Sequence, residues 1–105
     1  MKMLTKAIET KLAKFPFRSQ EKNPTPEIIV KFFQPWGAWT WYATEGQKNE
    51  EGKWEFFGLV EGFEKEWGYF NLEELQSVRG PAGLKIERDM YFEGKHLDAA
   101  TNKVF

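Results

Sequence analysis

Apolar positions near the start of the chain recur every three or four residues. Leu4, Ile8, Leu12 and Phe15 fall on one stripe, which predicts a short helix over Thr5–Lys14. Thr5 stands where an N-cap hydroxyl would accept from a free amide. Pro16 ends the helix, because it has no amide hydrogen to donate. Residues 18–26 are polar, hold two prolines and read as a loop.

Further on the period shortens to two, the period of a strand. Ile28–Phe33 is apolar apart from Lys31. Trp39–Glu45 alternates, with Trp39, Trp41 and Ala43 on one side and Thr40, Tyr42 and Thr44 on the other. Trp54–Gly62 sets Trp54, Phe56, Gly58 and Val60 against Phe57 and Leu59. The polar, Gly-bounded stretch 46–52 predicts an exposed hairpin loop. A turn at Phe63–Glu66 leads to a fourth short strand, Trp67–Phe70. Asn71, with Glu74 three positions on, resembles a capping box and opens a short helix to about Val78, with Leu72, Leu75 and Val78 facing inward. Gly80-Pro81 stops it. Residues 81–89 read as an ordered loop, Met90–Phe92 as a last short strand, and the chain from Gly94 as a polar tail.

This pattern predicts an α+β fold. An antiparallel meander of about four strands carries an N-terminal helix and a short helix after the last main strand, both packed on one face. Residues 1–93 form the single domain and 94–105 the tail.

Composition narrows the chemistry. The chain has 105 residues, enough for one domain with its own core, and aromatic residues make up 17% of it. Each buried ring removes roughly 150–250 Å² from water, so a few rings dominate such a core. There is no cysteine, which excludes disulfides, thiolate-held zinc and thiol chemistry and fits a reducing cytoplasm. No apolar run approaches the ~20 residues of a membrane helix. The first residues lack the apolar core of a secretory signal, so export is not expected. Fifteen basic residues against sixteen acidic ones give a net charge of -1. Duplex binding through phosphates would call for a basic excess, and charge mimicry of DNA for a large acidic one; neither is present.

An ordered set of segments carries a resemblance. It runs Met1-Lys2-Met3-Leu4-Thr5-Lys6, Val30-Lys31-Phe32-Phe33, Trp39-Thr40-Trp41-Tyr42-Ala43-Thr44-Glu45 and Phe56-Phe57-Gly58-Leu59-Val60. It continues through Trp67-Gly68-Tyr69-Phe70-Asn71-Leu72-Glu73-Glu74-Leu75, then Arg79-Gly80-Pro81, Glu87-Arg88-Asp89 and Phe92. Over roughly residues 1–93 the set resembles a family of small uncharacterised bacterial proteins, catalogued as a domain of unknown function. Members sit on conjugative plasmids, phages and integrated mobile elements, sometimes beside antirestriction-type proteins. The resemblance implies a cytoplasmic bacterial protein of a mobile element and implies no reaction. Residues 15–26 and the chain after Phe92 depart from the family's pattern.

Three groups of residues are candidates for function. Trp36, Trp39 and Tyr42 supply rings on which nucleobases can stack, each stack being worth about 1–3 kcal/mol; the same rings, Trp41 above all, can instead build the core. Arg79 and Arg88, two of only three arginines, flank a Gly-Pro-Ala-Gly turn and with Asp89 form a charged loop. Arginine suits planar clamping of phosphate or carboxylate. Equally, Arg79 can cap its own helix and Arg88 can pair with a neighbouring carboxylate. Glu45, Glu61, Glu64 and Glu66 are carboxylates suited to acid–base work or a hard cation, or to a solvated turn. His96 is the only histidine. With Ser77 and Asp98 it can be written as a triad, but nothing in the sequence brings the three together, and no phosphate loop, nucleophile elbow or dinucleotide fingerprint is present.

These candidates make four competing readings. The favoured one is a non-catalytic interaction module that meets an unknown protein partner through the Arg79–Asp89 loop and the aromatic strand. A second is single-stranded nucleic-acid binding by Trp36, Trp39 and Tyr42, with Lys31, Lys53 and Arg79 on the phosphates. A third is a small hydrolase or metal-dependent enzyme using Glu45, Glu61 and Arg88, which requires one pocket to gather them. In the fourth, every group serves only the fold. No cofactor, metal or membrane partner is expected, and nothing in the sequence sets an oligomeric state.

Overall fold

The Thr5 hydroxyl accepts from the Ile8 amide at 3.2 Å and opens the first helix, α1, Lys6–Leu12. The computed structural model describes residues 2–105. Met1, which begins the amino-terminal motif and the expected domain, lies outside the described residues. Five strands follow α1 in one antiparallel sheet: β1 Val30–Phe33, β2 Thr40–Lys48, β3 Trp54–Glu61, β4 Lys65–Asn71 and β5 Glu87–Arg88. Their order is β4-β3-β2-β1-β5, so the first four form the expected meander and β5 returns beside β1. The second helix, α2, Leu72–Ser77, directly continues β4. Asn71 caps it by accepting from the Glu74 amide at 2.8 Å, while its own amide group reaches the Glu74 carboxylate.

Both helices lie on one face of the sheet. Leu12 of α1 and Leu75 of α2 close over Phe32, Ala43, Phe56 and Phe70. The rings of Phe32, Phe56 and Phe70 stand 5.4–5.6 Å apart, Phe56 in the middle. Full burial of each such side chain contributes about 1.5–3 kcal/mol, which makes this layer the main source of stability. Gly58 of β3 leaves no room for a side chain against β2: a Cβ there would fall 1.7 Å from the Tyr42 carbonyl oxygen.

The structure departs from the sequence pattern in four places. The first is β2, which runs on to Lys48, well past Glu45. Its pairing with β3 slips between Ala43 and Glu45, so Thr44 is an extra, bulged residue and the simple alternation fails there. Second, Met90–Phe92 is no strand. The last sheet strand is Glu87–Arg88, after which the Asp89 carboxylate accepts from the Tyr91 amide and turns the chain away.

Third, residues 94–105 do not behave as a loose polar tail. They form a hairpin of β6, Leu97–Asp98, and β7, Lys103–Val104. Leu97 is fully buried with Ile28, Tyr42 and Leu59, and Asn102 accepts from the Trp67 indole at 2.9 Å. The segment is also tied along residues 24–28, with the Ile28 amide donating to Lys95 and the Leu97 amide to Pro26. Fourth, and as a consequence, the sheet is covered on both faces: by helices on one, by this hairpin and Phe92 on the other.

Candidate functional site

One end of the sheet collects three turns. Phe33, Thr40, Glu61 and Lys65 are successive partners across β1 to β4, and Glu87 of β5 pairs with Phe33. The β1–β2 turn, the β3–β4 turn and the loop that enters β5 therefore share this end. The first turn is closed by the Gln34 amide on the Trp39 carbonyl at 2.9 Å. It carries Trp36 and Trp39.

Each of these indoles lies against a glycine of another turn. A Cβ on Gly80 would come within 2.5 Å of the Trp36 ring, and one on Gly62 within 2.4 Å of the Trp39 ring. The rings are half-buried by this contact. Trp39 also stands 6.0 Å from Trp41 on the helix-bearing face and 5.6 Å from Phe63, whose ring meets it edge-on at 81°. Phe63 sits at the tip of the β3–β4 turn and is 96% exposed. The result is an aromatic corner, Trp39–Trp41–Phe63, next to the Trp36–Gly80 contact.

The loop beside it is a small closed structure. Arg79 and Lys85 bridge as a β pair, the Gly80 amide donates to Leu84 at 2.7 Å, and a 3₁₀ turn, Pro81–Gly83, lies between. The Arg79 guanidinium donates to the carbonyls of Gln76 and Val78, satisfying the end of α2.

A family model described as "Protein of unknown function (DUF2958)" matches residues 3–100. The chain belongs to this family. No curated protein and no solved structure matches it.

The other candidate residues of this DUF2958 chain lie elsewhere. Tyr42 is on the opposite face from Trp39 and is buried beneath Phe92, with ring centroids 6.0 Å apart. The Lys31 ammonium lies 5.8 Å from the Tyr42 ring and 3.5 Å from the Asp89 carboxylate. Burial raises the Tyr42 pKa above 10.0, and the carboxylates of Glu61 and Asp89 push it the same way. Trp36, Trp39 and Tyr42 thus present no common stacking surface. Of the cations assigned to phosphates, Lys31 is paired with Asp89, and Lys53 at the far end of the sheet is paired with Glu73 at 2.7 Å, which raises its pKa.

Glu45 is a structural carboxylate. It is 3% exposed, and its two oxygens accept from the amides of Arg18 and Gln20, each at 2.8 Å. The buried Gln20 in turn donates to the carbonyls of Thr44 and Glu27 and accepts from the Glu27 amide. Glu45 pairs with Phe57, whereas Glu61 lies four residues further along β3, roughly 13 Å away. Arg88 is on the helix-bearing face beside Phe32 and donates to the Lys2 carbonyl at 3.1 Å. Glu45, Glu61 and Arg88 therefore share no pocket. Arg79 and Arg88 are also apart: Arg79 borders a depression with Met3 and Lys85, Arg88 a groove of about 320 Å³ against α1.

The possible triad is dispersed as well. Ser77 donates to Glu74 within α2, His96 Nδ1 is 3.0 Å from the Thr25 carbonyl, and Asp98 accepts from Ala100 in the hairpin turn. Among the described residues, no group of three His, Cys, Asp or Glu is placed to hold a metal ion, and no helix is long and apolar enough to cross a membrane.

Phe63 is the site residue that the strand pattern passes over, although Glu64 and Glu66 beside it are among the candidate carboxylates. The available signal was a large apolar ring inside an otherwise polar turn, Gly62-Phe63-Glu64-Lys65, where no strand face claims it.

Proposed function

We propose that this chain is a small non-catalytic protein-interaction module whose contact surface is the aromatic end of the sheet. The observation that carries the reading is Phe63, held edge-on to Trp39 yet 96% exposed. A ring so placed adds little to the core, and apolar surface left in water is costly unless something covers it. Aromatic side chains fixed by their neighbours lose little entropy on binding and are enriched among the residues that dominate interfaces. Three of the residues singled out from the sequence, Trp36, Trp39 and Arg79, lie at this end.

The ordered motif set supports a setting on a bacterial mobile element, with the partner a host or element-encoded protein. A cysteine-free chain accords with the cytoplasm. Affinity capture from cells with the wild-type chain and with a Phe63→Ala, Trp39→Ala variant tests the reading. The expected result is a partner retained by the wild type and weakened about tenfold or more in the variant. Equal retention by both would refute it.

A further inference from the structure

We infer that the aromatic corner takes a basic segment of the partner protein, a stretch of chain presenting arginine or lysine. This rests on the interaction-surface reading and adds the partner's charge. The corner is made by Trp39 and Phe63, set 5.6 Å apart at 81°, with Trp41 alongside. Aromatic faces carry partial negative charge and attract guanidinium and ammonium groups. Two carboxylates border the corner, whereas Arg79 and Lys85, cations at this end, belong to the loop against Trp36, with the Arg79 guanidinium held on the Gln76 and Val78 carbonyls. Glu66 pairs with Val60, which pairs with Trp41, so Glu66 lies on the face that carries Trp41. Glu64 directly follows Phe63. Both carboxylate residues are exposed, and among the described residues neither takes part in an ion pair.

The nearest cation in the sequence, Lys65, does not neutralise them. It pairs with Glu61 at 3.8 Å, and both belong to the opposite face in the strand alternation. The corner therefore combines negative ring faces with two uncompensated carboxylates. Such a surface attracts a cationic peptide and repels the phosphates of a nucleic acid. Because the charges are exposed, the attraction is confined to about 8 Å at physiological ionic strength and weakens as salt rises.

The test is a tryptophan-fluorescence titration of the full chain with three probes: a short arginine–lysine peptide, an acidic peptide of equal length and a single-stranded oligonucleotide. The arginine–lysine peptide should bind at low salt and the other two should not. Charge reversal by Glu64→Lys with Glu66→Lys should weaken binding on the order of tenfold, and Phe63→Ala about two- to fivefold. All three positions are exposed, so the variants should keep the fold, which circular dichroism checks. Preference for the acidic peptide or the oligonucleotide, no response to charge reversal, or no binding of the basic peptide would overturn the inference. If the basic peptide fails while Phe63→Ala with Trp39→Ala still loses a captured partner, only the partner's charge is wrong. If that capture is also unaffected, the interaction surface itself falls.

Discussion

Glu45 illustrates how one bulge changes the meaning of a side chain. In an unbroken strand it would follow Thr44 in simple alternation and face the helix side with Ala43. Thr44 takes up the extra position, and Glu45 turns instead beneath residues 18–20, where two backbone amides hold it. Glu45→Ala leaves both amides without an acceptor and should cost about 3 kcal/mol in urea unfolding, with Glu45→Gln losing less because its carbonyl keeps one bond. Tyr42 gives a pH-dependent counterpart. Its phenol is held protonated in the folded state, by burial first and then by Glu61 and Asp89. The unfolded chain therefore releases this proton at a lower pH than the folded one. The associated stability is present below pH 10.0 and is lost as pH climbs through the raised folded value. Alkaline unfolding followed by phenolate absorbance should move to higher pH in Tyr42→Phe, and an unchanged midpoint would show that Tyr42 is not the group responsible. The sequence marks both residues as notable but not their surroundings. A bulge and a covering loop depend on contacts from distant parts of the chain, which a period of two cannot register.

Elements with a local cause were the legible ones. Thr5 and Asn71 cap their helices through residues three positions away, so the signal and the structure lie in the same short window. Of the four main strands, β2 and β3 declare themselves by alternating runs, β1 by a nearly continuous apolar run and β4 by a short aromatic one. The carboxy-terminal hairpin does not: each of its strands has only two residues, with Leu97 and Val104 as the apolar members, too few to show a period. Its stability comes from what it covers. Leu97→Ala should destabilise the chain by about 2–4 kcal/mol, as for other fully buried leucines, and chain truncation before Lys95 should cost more by exposing Ile28, Tyr42 and Leu59 to water. Denaturant midpoints of the two variants measure this. A midpoint unchanged by truncation would mean that the hairpin is dispensable and that residues up to 94 fold alone.

Taken together, the chain spends its rings on two distinct tasks. Phe32, Phe56 and Phe70 build the interior between sheet and helices. Trp36, Trp39 and Phe63 ride on turns at one end, where glycines at 62 and 80 let two indoles lie against neighbouring backbone. Clustering of Trp36, Trp39 and Arg79 was readable as residue type. Their gathering with Phe63 depends on the sheet order, and the separation of Tyr42 depends on strand alternation. A photoreactive phenylalanine analogue placed at position 63 tests this division most directly, with the same analogue at Glu50, in the loop at the opposite end, as the comparison. Irradiation in cells should give a discrete protein adduct from position 63 and none from position 50. Adducts from neither position, or equally from both, would contradict the assignment of the aromatic end as the contact surface.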